Sequence, residues 1–103
     1  MREVEFFEEA AAKLEEATDY LEQQRDGLAR TFLRELDAKL QQLASFPASA
    51  PIIEGVATDV EVRAFVVSRF HYSVIVINVD GALKVVALAH HSRDPTYWLA
   101  RLS

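Results

Sequence analysis

The sequence predicts an α+β domain: a two-helix hairpin packed on one face of a small antiparallel sheet, in the order weak strand, helix, helix, strand, strand, strand. Three observations predict it. Apolar residues recur at helical spacing through the first half of the chain. Past residue 60 the pattern turns to valine-rich runs of strand type. Between the last two runs stands Asp80-Gly81, a pair suited to a two-residue hairpin turn.

Val4-Glu5-Phe6 alternates and reads as a short edge strand. From about residue 8 to 24 strong helix formers dominate, with Ala10, Leu14, Ala17 and Leu21 on one stripe and Tyr20 beside it. Gly27 can take a left-handed conformation and end this helix as its C′ residue. A second helix follows from about residue 28 to 44, with Leu28, Phe32, Leu36, Leu40 and Leu43 as its stripe, and Phe46-Pro47 stops it. A short connector between two amphipathic helices implies an antiparallel hairpin. Residues 47–51 are loop by composition, and strands are expected at 60–67, 70–79 and 82–90. Asp94 and Pro95 suit the start of a closing helical turn.

One domain spanning residues 1–103 accommodates all of this, because a chain of 103 residues can bury one core. The chain has no cysteine, which excludes disulfides, thiolate catalysis and cysteine metal sites. Three histidines without a carboxylate at ligand spacing make no recognisable metal site, and no cofactor is expected. The start lacks the apolar stretch of a signal peptide, and the longest apolar run, residues 85–89, is too short to span a bilayer. A soluble cytoplasmic protein with no membrane role is the expectation.

The net charge of −5 resides in residues 1–50; residues 51–103 carry five basic and five acidic side chains. Phosphate backbones repel such a chain unless its few cations cluster, so a general nucleic-acid binder is disfavoured. The acidic half reads as solvated helix surface.

If the Asp80-Gly81 turn is followed by unbroken pairing, Ile75 faces Val86 and His71 faces His90. One sheet face then carries Tyr72, Val74, Val76, Leu83, Val85 and Ala87 and packs on the helices. The other carries His71, Ser73, Lys84 and His90 around an aliphatic middle of Ile75, Ile77, Val86 and Leu88. Such a strip is too apolar to stand bare, so it implies a cover or a partner.

With these residues in place, the chain resembles the RelE/ParE toxin superfamily, nearer its ParE branch. Phe6 with Ala10, Leu14, Ala17 and Tyr20 looks like the opening of ParE-type toxins, and Gly27-Leu28 with Phe32 like the start of their second helix. Val62-Arg63 and Arg69-Phe70-His71-Tyr72 resemble their second and third strands. His90, Arg93, Asp94, Pro95, Tyr97, Trp98 and Arg101 resemble their closing motif. The match runs in order through nearly the whole chain; His71 departs from it where the family often has proline. The resemblance implies the toxin of a type II toxin–antitoxin (plasmid stabilisation) module, bound by a cognate antitoxin. ParE-type members inhibit DNA gyrase and are not enzymes. RelE-type members are ribosome-dependent mRNA endonucleases, and a non-toxic relative acting as an interaction module is a third possibility.

Metal-free RNA cleavage needs a base, cations for the phosphorane and an acid. Candidates are His90 or His71 as acid and base, Arg63 and Arg93 as phosphate clamps, and Tyr97 for stacking or proton transfer. Trp98 is expected to pack the closing turn onto the domain. Whether Arg63 joins the two histidines depends on the connection around Ser68-Arg69: three residues place it with them, two place it on the core face. Its alternative role is structural, pairing with a carboxylate or a carbonyl. Ribosome-dependent cleavage also needs many cations, which this sheet half lacks, so a gyrase target is the first expectation. Arg63, Arg69, Arg93 and Arg101 are its target-binding candidates; Ile75, Ile77, Val86 and Leu88 are the antitoxin-binding candidates.

Overall fold

A computed structural model describes residues 4–53 and 60–90. In chain order it holds β1 (Val4–Phe6), α1 (Glu8–Gln24), α2 (Leu28–Ser45), a 3-10 turn (Pro47–Ser49), β2 (Val62–Val67), a second 3-10 turn (Ser68–Phe70), β3 (Tyr72–Val79) and β4 (Ala82–His90). The predicted α+β architecture is therefore present. Arg93, Tyr97, Trp98 and Arg101 lie outside the described residues, as does the expected closing turn.

The helices form where apolar spacing required them. Ala10, Ala17 and Leu21 are the buried side of α1, and Phe32, Leu36, Leu40 and Leu43 that of α2. Gly27 is left-handed, with φ of 84°, but it serves as N-cap of α2 rather than as C′ of α1. Arg25 already closes α1 by donating its N–H to Leu21 O. A glycine has no side chain to cap α2, and Glu22 of α1 does so in its place. Its carboxylate accepts the N–H of Gly27 at 3.0 Å and of Ala29 at 3.3 Å, which satisfies orphan donors and sets negative charge at a positive helix end.

The strand order is β1-β4-β3-β2, and β2, β3 and β4 form an antiparallel meander. β1 departs from the all-antiparallel expectation and runs parallel to β4, with Val4 opposite Leu83. The long route between these two strands through the helix hairpin puts no constraint on their relative direction. Asp80 and Gly81 both take positive φ, 52° and 80°, as a type I′ turn requires.

The unbroken register does not hold. Val79 pairs with Ala82 and Val76 with Val85, but a bulge follows, and Ile75 then faces Ala87 while Tyr72 faces His90. Val86 is the extra residue, so Val86 and Ala87 both end up on the outer face. Every β4 side chain beyond them changes sides relative to the expectation. Leu88 lies in the helix-facing core, Ala87 lies outside it, and His71 falls outside the β3–β4 register, standing just before β3 with φ of 60°.

Two clusters result. The larger, between helices and sheet, joins the helix stripes to Phe65, Val67, Phe70, Tyr72, Val74, Val76, Leu83, Val85 and Leu88. Phe32 is its centre, 5.1 Å from the Phe70 ring and 5.4 Å from Tyr72. The smaller lies on the outer face and joins Val62, Ile75, Ile77, Val86 and Ala87, with Phe7, Ile53 and Val60 packed against them. The aliphatic strip is therefore closed within the chain, by the connector after α2 and the residue after β1.

Candidate functional site

The cations are positioned by the β2–β3 connection. Val67 pairs with Tyr72, so four residues join the strands. An even number keeps the parity of a two-residue turn, and Arg63 accordingly shares the helix-facing side with Phe65 and Val67. It is a largely buried residue, its side chain 16% exposed. One guanidinium nitrogen donates to Ala50 O, another lies 3.3 Å from the Glu61 carboxylate, and Nε is buried without an acceptor. Ala50 precedes residues that pair along the outer edge of β2, where Ala64 N–H donates to Pro51 O and Ile53 N–H to Val62 O. Arg63 thus ties the chain after α2 to the start of β2, the structural alternative for this residue.

The two described histidines, His71 and His90, do not converge on it. His90 lies opposite Tyr72 and meets its ring edge-on at 5.0 Å. His71 is exposed at the end of the second 3-10 turn. Arg63 and His90 are separated by four residues along the sheet and two strands across it, on the order of 16 Å between backbones. The Arg63 guanidinium also points away, toward Ala50. These two residues cannot clamp one phosphate in this conformation. Among the described residues no three histidines or acids gather as metal ligands.

Arg69 is different. It is 64% exposed, bonds the Glu35 carboxylate at 2.9 Å and lies 5.9 Å from the Phe70 ring centre. It stands at one end of a cleft of about 340 Å³ between α2 and the edge of β2, lined by Glu35, Ala38, Lys39, Gln42, Val66, Val67 and Arg69. No local sequence pattern marks this cleft as a whole. Its helix wall is an i, i+3, i+4, i+7 row, Glu35, Ala38, Lys39 and Gln42, legible as one flank of α2. Which strand would stand beside that flank depends on the sheet order, which local pattern does not report.

Of the four residues expected at the antitoxin surface, Ile75, Ile77 and Val86 are at most 6% exposed on the outer face. Leu88 is not on that face at all; the bulge turns it toward the helices, where it is 2% exposed. Of the four target-binding cations, Arg69 is displayed, Arg63 is engaged, and Arg93 and Arg101 lie outside the described residues. Among the described residues no helix is long and apolar enough to cross a membrane.

No curated protein matches the chain with significance. A family model described as the ParE toxin of type II toxin-antitoxin system, parDE, matches residues 4–95, a span that takes in both helices and all four described strands. The chain belongs to the ParE toxin family of type II toxin–antitoxin systems.

Proposed function

We propose that this toxin acts on DNA gyrase and not as an mRNA nuclease. Membership of the family implies a cognate antitoxin; the target is the further step. The observation that carries it is the dispersal of the nuclease candidates. Arg63 is engaged with Ala50 and Glu61, His90 packs on Tyr72, and His71 stands off the sheet. General acid–base chemistry requires its groups within hydrogen-bond reach of one reacting phosphate, and Arg63 lies two strands and four residues from His90. The even charge balance of residues 51–103 agrees, since a surface that grips rRNA and mRNA needs a cationic excess. Arg69, with Arg93 and Arg101, is the cation set for the target contact, and the setting is a plasmid-stabilising module in the cytoplasm.

Two assays on the purified chain separate the readings. Gyrase supercoiling should fall, with cleaved DNA accumulating, and ribosome-dependent mRNA cleavage should be absent. Cleavage of mRNA with gyrase unaffected would overturn the proposal and return Arg93 and Tyr97 to the catalytic role. Folded protein that neither affects gyrase nor slows growth of a susceptible host would mark a non-toxic relative.

A further inference from the structure

Ile75, Ile77, Val86 and Ala87 of the outer face are buried within the chain itself. Beside α2 the sheet ends at β2, and its edge is only half covered. Ala64 N–H and Val62 O are taken by Pro51 and Ile53. In an antiparallel ladder the N–H and C=O of alternate residues point to opposite sides. The even-numbered residues of β2 therefore face outward, and Val66 is next in that series. Among the described residues its N–H and C=O have no edge partner, and the residue is 45% exposed. This open stretch of strand forms one wall of the cleft whose other wall is α2.

The charge of the cleft is opposite to that of the chain. Its lining carries Lys39, Arg69 and one acid, Glu35, in a protein of net charge −5. Glu35 is already bonded to Arg69, and Lys39 has no carboxylate partner among the described residues. An added strand would alternate its side chains, one set on the cleft side toward α2 and the other on the outer face beside Val66.

We propose that the cleft between α2 and the open edge of β2 receives an extended segment of the antitoxin, which pairs with Val66 as an added strand and places a carboxylate between Lys39 and Arg69. The occupant is specified by its chemistry: an extended peptide, acidic at the positions facing α2 and apolar at the alternating ones. This is strand addition with side-chain pockets supplying the selectivity, and it rests on the toxin–antitoxin reading above.

The test uses the full chain, isotope-labelled, titrated with a ten-residue peptide of alternating valine and glutamate and with the same peptide carrying lysine for glutamate. The glutamate peptide should shift and protect the Val66 amide, shift Lys39 and Arg69, and bind at least tenfold more tightly than the lysine peptide. Lys39→Glu should remove that preference. Lys13→Glu, an equal charge change on α1, should leave it intact. Equal affinity for the two peptides, shifts confined to another surface, or protection of Val66 that follows the chain's own concentration instead, would each overturn the proposal; the last would assign the edge to a second copy. In cells, Lys39→Glu should stay toxic when expressed alone but escape neutralisation by the cognate antitoxin, and neutralisation equal to wild type would also overturn it. If the unaltered chain proves non-toxic, the functional reading fails while the titration still decides the cleft.

Discussion

Leu88→Ala tests the packing of β4 beneath the helices, where the bulge places this residue. In an unbroken hairpin Leu88 would lie on the outer face. With Val86 as the extra residue it lies in the helix-facing core, 2% exposed, opposite Val74, which is 0% exposed. Truncating a fully buried leucine costs about 2–5 kcal/mol, the lost transfer energy plus a cavity its neighbours only partly fill. A domain of this size has about 5–15 kcal/mol of stability in all. The change should therefore lower the urea midpoint steeply and the melting temperature by roughly 10 °C or more. Val66→Ala, at a position 45% exposed on the sheet edge, is the control and should change stability by less than about 0.5 kcal/mol. Equilibrium unfolding followed by circular dichroism gives both numbers. If Leu88→Ala loses no more than Val66→Ala does, Leu88 is not packed under the helices and the bulged register is wrong.

Three further outcomes are expected. Arg63→Ala should cost about 1–2 kcal/mol, since it frees the Ala50 carbonyl and the Glu61 carboxylate and unties the chain after α2 from β2; a melting temperature unchanged alongside a loss of toxicity would restore its functional role. Gly81→Ala should cost about 1 kcal/mol through its φ of 80° alone, because an added Cβ would meet nothing within 4 Å; thermal melts of the two proteins decide it. Glu22→Gln should lower the melting temperature by a few degrees at most, because the interaction is solvent-exposed and an amide oxygen can still accept from Gly27 and Ala29; equal melting temperatures in low and high salt would show that the carboxylate charge adds nothing to the cap.

What the sequence made legible divides along a physical line. Leu28, Phe32, Leu36, Leu40 and Leu43 announce a helix because their spacing is local, and Asp80-Gly81 announces a hairpin because positive φ at two successive positions suits few residue pairs. The bulge at Val86 has no such signal. Residues 85–89 are Val-Val-Ala-Leu-Ala, apolar throughout, so alternation cannot report which of them face the helices. One unseen extra residue moved Leu88 from a supposed partner surface into the core and replaced the expected His71–His90 pair with Tyr72 and His90. The position of Arg63 turned on one count in the same way. Four connecting residues, with the parity of the two-residue alternative and not of the three-residue one, carry it to the helix side, where a carbonyl and a carboxylate hold it.

The cleft lay beyond local pattern for a different reason: it is made by two elements whose adjacency is decided by sheet order. With β2 at the edge, the flank of α2 that carries Glu35 and Lys39 faces strand backbone that the chain itself has only begun to cover. Native sheets commonly cover, charge or shorten an edge to prevent unwanted pairing. Here the connector residues 51–53 cover the first half of β2, and Arg69 and Lys39 flank the second. That arrangement deters cationic strands and leaves an acidic one the better fit, so protection of the free toxin and recognition of its inhibitor can reside in the same few side chains.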